Sequence, residues 1–435
     1  QLDYDMDGDL DLFIVNHRYD TQNITKISTT VQNNIEETTS DQLYRNDGNI
    51  FVKITAAAGL HNKSWGLSAS IGDFNEDGSP DIYVANDFLE PDNLYINQND
   101  GTFKDEALNY LKHISFYSMG SDFADINNDL LPDLISLDMM AENYARSKEN
   151  MATMSISDFN SMVDVGYNHA YMGNMLNLNR GDGKFQEIGQ LAGITKTDWS
   201  WSPLIADFNN DGYKDIFVSN GVIRDHTNKD FKTNISKITS KGQRMTIDQL
   251  FDLIPSQKLQ NYLYLNQKNL SFVNVSDSLG LKEKTFSNGA AYADLDNDGD
   301  LDMVLNNHED YMSLYENKAS KNYLKIKLKG SDKNRFAIGT SVVVTTKEGQ
   351  QEQTLYNARG YESSTSHDLV FGLDTQNIIE KIDITWPDGF VTLLQNIEIN
   401  NTLTVDYNAA TKSRQNKRLY NSSFKEVNME AIGVK

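Results

Sequence analysis

The sequence predicts an all-β fold: a β-propeller of four-stranded blades with acidic loops and helical insertions, followed by a small β-rich domain. Three observations predict it. A nine-residue acidic pattern recurs five times along the 435 residues. Each copy runs directly into a short apolar segment of strand type. A hairpin signature then follows, so one repeat holds about four strands, the unit from which propeller blades are built.

The pattern is Asp-x-Asp/Asn-x-Asp-x-x-x-Asp. Its copies are DYDMDGDLD from Asp3, DFNEDGSPD from Asp73, DINNDLLPD from Asp125, DFNNDGYKD from Asp207 and DLDNDGDLD from Asp294. Calcium is a hard cation that takes six to eight oxygens at about 2.3–2.6 Å, and this spacing supplies them within one turn. Position 1 is Asp3, Asp73, Asp125, Asp207 or Asp294. Position 3 is Asp5, Asn75, Asn127, Asn209 or Asp296. Position 5 is Asp7, Asp77, Asp129, Asp211 or Asp298. Position 7 offers a backbone carbonyl, from Asp9, Ser79, Leu131, Tyr213 or Asp300. Position 9 closes the loop with Asp11, Asp81, Asp133, Asp215 or Asp302. Position 6 is glycine, which permits the sharp turn, except for Leu130 in the third copy.

These loops are not EF-hands. That motif needs a bidentate Glu at position 12 and an exit into a helix. Position 12 here is Ile14, Val84, Ser136, Val218 or Leu305, and the exits LFIV, IYVA, LISL, IFVS and MVL are strand-like. A single copy could also be an Asp-rich polar turn. Five copies at one spacing point to about five structural Ca2+ sites.

Net charge is −23, from 39 Lys and Arg against 62 Asp and Glu. That balance argues against nucleic acid and anionic lipid, which need clustered basic residues. Five Ca2+ ions would offset about ten charges, leaving roughly −13. Cysteine is absent, so disulfides and thiol chemistry are excluded. No run reaches the roughly 18 apolar residues of a membrane helix. The chain opens inside a motif at Gln1, so a longer parent protein is expected.

After each loop comes a hairpin string: LYRNDGNIF from Leu43, LYINQNDGTF from Leu94, LNLNRGDGKF from Leu176, LYLNQKNLSF from Leu263 and a shortened LYEN from Leu314. The strand before a loop is short and rich in small residues, as in SASIGDF, SPLIADF and GAAYADL. Loops are spaced by 70, 52, 82 and 87 residues, so the shortest interval is a bare blade and the others carry insertions. These repeats resemble the FG-GAP/VCBS family, as in integrin-α propellers and bacterial surface proteins. The resemblance implies more blades than the copies visible here, and a first blade missing its leading strand.

The insertion at 139–175 holds seven of the 13 Met, and SISDFNSMVDVGY reads as a helix starting near Ser157 or Asp158. Its methionines are either gap-fillers or an adaptable binding surface. In the insertion at 221–262, TIDQLFDLIP reads as a helix capped by Thr246 or Asp248 and broken by Pro255. Asp198, Trp199, Trp201, Arg224, Asp225 and His226 flank the two ends of the fourth unit. They are the candidate ligand residues, since indole faces stack on sugars and Arg and Asp orient a ligand by hydrogen bonds. The alternative is that Trp199 and Trp201 pack between blades.

The propeller is expected over 1–320 and the β-rich domain over 321–407. The alternation in YLKIKLKG, from Tyr323, reads as a half-buried strand with its lysines in solvent. Asn334-Arg335, Ala337-Ile338-Gly339, Arg359-Gly360-Tyr361 and Trp386-Pro387-Asp388-Gly389 resemble the ASPIC/UnbV domain of cartilage-acidic-protein-like sequences. Where that family commonly has His before Phe-Gly-Leu, this chain has Val370. Residues 408–435 are a linker and then either the start of a further propeller repeat or a hairpin that closes this ring.

No catalytic set emerges: there is no HExxH, GxSxG elbow, Walker loop or strand-borne GxGxxG. The expected function is a calcium-stabilised binding module, extracellular or at the cell surface, for a glycan or protein ligand. The resemblance adds bacterial members that accompany outer-membrane nutrient uptake, and a few lyases acting on sugars. Two alternatives therefore stand: a sugar-modifying enzyme using Asp198, Arg224, Asp225 and His226, and a purely structural or adhesive protein.

Overall fold

The computed structural model describes residues 1–18, 40–48, 50–88, 90–150 and 156–411. Five antiparallel sheets follow one another along the first part of the chain, each built on one acidic loop. The second comprises Trp65–Gly72, Asp81–Asp87, Asn93–Asn97 and Phe103–Asp105. The third comprises Ser121–Ala124, Asp133–Ser136, Met175–Asn179 and Phe185–Glu187. Ser200–Ala206, Asp215–Asn220, Tyr262–Asn266 and Phe272–Asn274 make the fourth. The first has three strands (Leu12–Ile14, Gln42–Asn46, Phe51–Lys53) and begins after its loop. The fifth also has three (Ser287–Ala293, Asp302–Asn307, Ser313–Tyr315).

Each sheet is a hairpin-connected meander, and the leading strands of the second to fifth sheets lie side by side, as at a propeller axis. Small residues on those strands allow this crowding. A Cβ on Gly72 would sit 2.0 Å from the Phe123 ring of the next blade. Apolar faces meet between blades: Phe74, Tyr83 and Leu94 pack with Phe123 and Leu134, and Ile135 and Leu176 with Ile205 and Ile216. Antiparallel alternation puts every acidic loop at one end of its blade. The long insertions, which follow each second strand, leave at the other end.

In the first insertion a helix forms at Ile156–Asp164, and a second, unforeseen in the sequence, at Tyr144–Glu149. In the second insertion the expected helix spans Ile247–Leu253 and ends before Pro255, with Thr246 and Gln249 forming a reciprocal capping box. The helix Lys229–Ser240 before it places Phe231, Ile235 and Ile238 at helical spacing but buries none of its residues.

The C-terminal domain has a three-stranded sheet, Leu369–Asp374, Asn322–Lys329 and Asn401–Asp406, and a four-stranded one, Gly349–Thr354, Ser341–Thr346, Lys381–Thr385 and Val391–Leu394. Between them lie Leu324, Ile326, Val342, Val344, Phe371, Ile382, Ile384 and Trp386. One expectation changes here. Lys325 is buried and not solvated, because its strand is covered by the fifth acidic loop. Val370, at the position where the family commonly has His, packs into the core shared by the fourth and fifth blades with Leu204, Phe217 and Leu305. Residues 412–435, with the expected extra hairpin, lie outside the described residues.

The domain docks on the acidic-loop end of the propeller. Asp374 N donates to Asn210 O in the fourth loop at 2.9 Å, and Lys333 Nζ to Asp7 O in the first at 3.1 Å. From it, the short strands Ala358–Arg359 and Ser363–Ser364 project between the leading strands of the blades. Gly360 N donates to Ser121 O at 3.0 Å, and Tyr361 N to Ser202 Oγ at 3.1 Å. Gly360 has φ +69, and a Cβ there would lie 2.1 Å from Ser202 Oγ, so only glycine passes this point.

Candidate metal centres and ligand face

The acidic loops share one hydrogen-bond plan. In the first four, the position 1 carboxylate (Asp3, Asp73, Asp125 or Asp207) accepts the amides of positions 5 and 6 at 2.7 to 3.3 Å. In all five, the position 5 carboxylate accepts the position 7 amide, which draws the turn tight. Position 4 takes a left-handed conformation at Met6, Glu76, Asn128, Asn210 and Asn297, a requirement the sequence did not reveal. Leu130 holds φ +68 in the place of glycine, so the third loop keeps the same turn under strain.

Position 9 has a structural task in addition to its candidate role as a ligand. Asp11, Asp81, Asp133, Asp215 and Asp302 each accept two backbone amides, at 2.7 to 3.1 Å. One comes from position 2 of the same loop and the other from the Asn at the fourth position of the hairpin string. That Asn also stitches blades together: Asn97, Asn266 and Asn317 donate from Nδ2 to Tyr4 O, Ile126 O and Phe208 O of the preceding loop, at 2.7, 2.8 and 2.7 Å. The LYxN string therefore serves the loops as well as the hairpins.

The donor set fits a hard divalent cation. Oxygens of Asp3, Asp5 and Asp11 all lie within 4.8 Å of one another, as do those of Asp294, Asp296 and Asp298. Burial pushes Asp3 up to about 7, and Asp11, Asp73, Asp125 and Asp207 to about 6, against an ordinary 3.8. Burial also lifts Asp81, Asp133 and Asp215 well above the ordinary range, with neighbouring carboxylates adding to it. Carboxylates packed this way resist ionisation, and a bound cation would offset that cost.

The fifth loop departs from the plan at position 1. Asp294 Oδ2 accepts Lys325 Nζ at 2.8 Å in place of turn amides.

At the insertion end, Asp198 and Asp225 come together on a residue the sequence reading missed. Arg146, on the helix Tyr144–Glu149, pairs with Asp198 at 3.1 Å and with the fully buried Asp225 at 2.8 Å. Its signal was thin: a lone Arg three residues after the cap Asn143. Trp199 is buried in the core between blades, with His226 edge-on at 5.8 Å, so its faces are covered by protein. Arg224 lies over Phe251 at 4.9 Å. Trp201 turns toward the axis, where its indole N–H donates to Gly221 O at 2.7 Å and its ring stands 5.0 Å from Tyr361. Tyr361 arrives from the C-terminal domain through the centre of the propeller. Nearby, burial and Asp138 push Asp87 up to about 7, and its buried Oδ1 has no hydrogen-bond partner among the described residues. Trp65 and Phe88 meet edge to face at 5.7 Å beside it.

Comparison with known proteins agrees with this architecture. Residues 3–84, 73–136 and 158–218 match the model of the FG-GAP-like repeat, and residues 330–412 that of ASPIC and UnbV. The chain thus carries FG-GAP-like repeats followed by an ASPIC and UnbV domain. It is similar to cartilage acidic protein 1 of Xenopus tropicalis, 23% identical over 371 residues, which are 82% of this chain and 47% of that protein. The chain therefore spans about half the length of that curated relative. Among solved structures, a D477G ACO/RPE65 chimera aligns over 82% of this chain and 64% of its own, at 8% identity and a TM-score of 0.26. The V. cholerae biofilm matrix protein Bap1 aligns over 89% and 59%, at 10% identity and a TM-score of 0.24. Both scores are too low to bear on the fold.

Proposed function

We propose that this chain of FG-GAP-like repeats and an ASPIC and UnbV domain is a calcium-stabilised binding module of an extracellular or cell-surface protein, with a glycan or protein ligand taken at the insertion end. The observation that carries the reading is the pair Trp201 and Tyr361 at the axis. The acidic-loop end is covered by the C-terminal domain, which leaves the other end for a partner. There the phenol of Tyr361, with the Trp201 indole beside it, lies within electrostatic reach of Asp87, whose buried Oδ1 has no hydrogen-bond partner among the described residues. Aromatic faces with a nearby acceptor suit a sugar ring, whose C–H face stacks while its hydroxyls donate. Structural calcium in the loops is supported by their oxygen donors and raised carboxylates. Among the described residues no helix is long and apolar enough to cross a membrane.

The test is affinity electrophoresis against a panel of polysaccharides with calcium present. Retardation lost in Trp201→Ala, with the fold retained, supports the placement. Retardation unchanged in that variant removes the ligand from the axis, and no retardation by any glycan leaves a protein ligand.

A further inference from the structure

We infer that the fifth acidic loop is charged by Lys325 of the C-terminal domain in place of a divalent cation. The inference rests on the calcium reading for the other loops and departs from it here. Lys325 Nζ donates to Asp294 Oδ2 at 2.8 Å and to Asn297 Oδ1 at 3.0 Å, with 2% of the lysine side chain and 1% of the Asp294 side chain exposed. Asp294 is position 1, the carboxylate that in the other four loops is turned inward onto the turn amides. In the fifth loop no turn amide donates to it among the described residues, and it faces the lysine.

Lys214, at position 8 of the fourth loop, is buried too, but its Nζ donates to no loop carboxylate among the described residues. The exposed lysines near the loops sit differently. Lys333 approaches the carboxylates of Asp7 and Asp9 at 3.8 Å from solvent, with 57% of its side chain exposed. Lys268 stands 3.5 Å from Asp211 and is also well exposed. Both can swing away when a cation binds. Lys325 cannot, because Leu324 and Ile326 on either side of it belong to the domain core. Its neighbour Tyr323 seals the loop as well: a Cβ on Gly299 would lie 2.1 Å from the Tyr323 ring.

Asp294, Asp296 and Asp298 are close enough together for a metal, so geometry alone leaves the loop open to one. The loop keeps four further carboxylates, at Asp296, Asp298, Asp300 and Asp302, and what decides the matter is the ammonium seated on the position 1 oxygen that a cation would need. A fixed ammonium on the first ligand neutralises one carboxylate and repels a divalent ion a few ångströms away. The fifth loop then works as a metal-independent latch. It holds the C-terminal domain on the last described blade whether or not calcium is present, while the other loops respond to calcium.

The test counts bound Ca2+ by equilibrium dialysis in the full chain. Asp296→Asn with Asp298→Asn keeps the Oδ1 acceptors of the turn and is expected to leave the number of ions unchanged. Loss of one ion in that variant overturns the inference. In the fourth loop position 3 is already Asn209, so the matching change there is Asp207→Asn with Asp211→Asn; its expected loss of one ion tests the calcium reading separately. A second measurement needs no metal: Lys325→Met in excess chelator should lower Tm by at least about 3 °C. An unchanged Tm in chelator overturns the latch.

Discussion

Arg359 of the C-terminal domain donates from Nη1 to Asp122 Oδ1 on the leading strand of the third blade at 2.9 Å, across 237 residues of sequence. Asp122 is fully enclosed, and its other oxygen accepts Ile205 N of the fourth blade at 2.7 Å. One ion pair thus joins the projecting strands and two blades at the axis. Burial raises Asp122 and the charge of Arg359 offsets part of that rise.

Removing that arginine should be costly. Arg359→Ala leaves Asp122 buried without its partner, a loss of about 3–5 kcal/mol. Arg359→Lys should recover only part of it, since Nε also donates to Tyr356 O at 3.1 Å and an ammonium does not reproduce that fork. Denaturant unfolding checks this, and a loss under about 1 kcal/mol would show that the axis contact is not structural.

The stitch between blades should be equally sensitive. Asn266 donates to Ile126 O and Lys214 O at 2.8 and 2.9 Å and accepts Lys268 N at 2.8 Å. Asn266→Ala leaves buried carbonyls unpaired, at about 1–3 kcal/mol for each group. Thermal unfolding of this variant beside the exposed control Asn269→Ala measures the difference.

The third loop offers a strain test. Leu130 holds a left-handed conformation that costs roughly 1–2 kcal/mol for a residue with a side chain. Leu130→Gly should therefore be neutral or mildly stabilising, and Leu130→Val should destabilise, because β-branching makes φ above zero worse. Equal stabilities for the two variants would show that the strain is not felt.

Calcium and pH should act on the same carboxylates. Folded-state values of about 7 for Asp3 and about 6 for Asp73 and Asp207 lie above the ordinary 3.8. A raised carboxylate binds its proton more tightly when folded, so without metal its contribution to stability is fully present below 3.8 and is lost as pH rises through 6 to 7. In chelator, Tm should fall across that window. Calcium, which binds the ionised form, should restore it, with the larger shift at the higher pH. A calcium shift of equal size on both sides of the window would detach the metal from these groups.

The sequence by itself determined the loops, the hairpins and the change of pattern at the second domain. Those are local matters: ligand spacing, turn glycines and period-two alternation are written within a few residues. It showed the acid at position 9 and the Asn of LYxN, but not that one holds the other. Only the tertiary structure decided where Arg146, Lys325, Arg359 and Tyr361 go, and that Trp199 is covered while Trp201 reaches the axis. Each of those residues finds its partner far along the chain, and a charge or a ring at such a position carries no local mark of what it will meet. Lys325 is the plainest case, since alternation along its strand placed it in solvent and the packing of one domain on another placed it in an acidic loop.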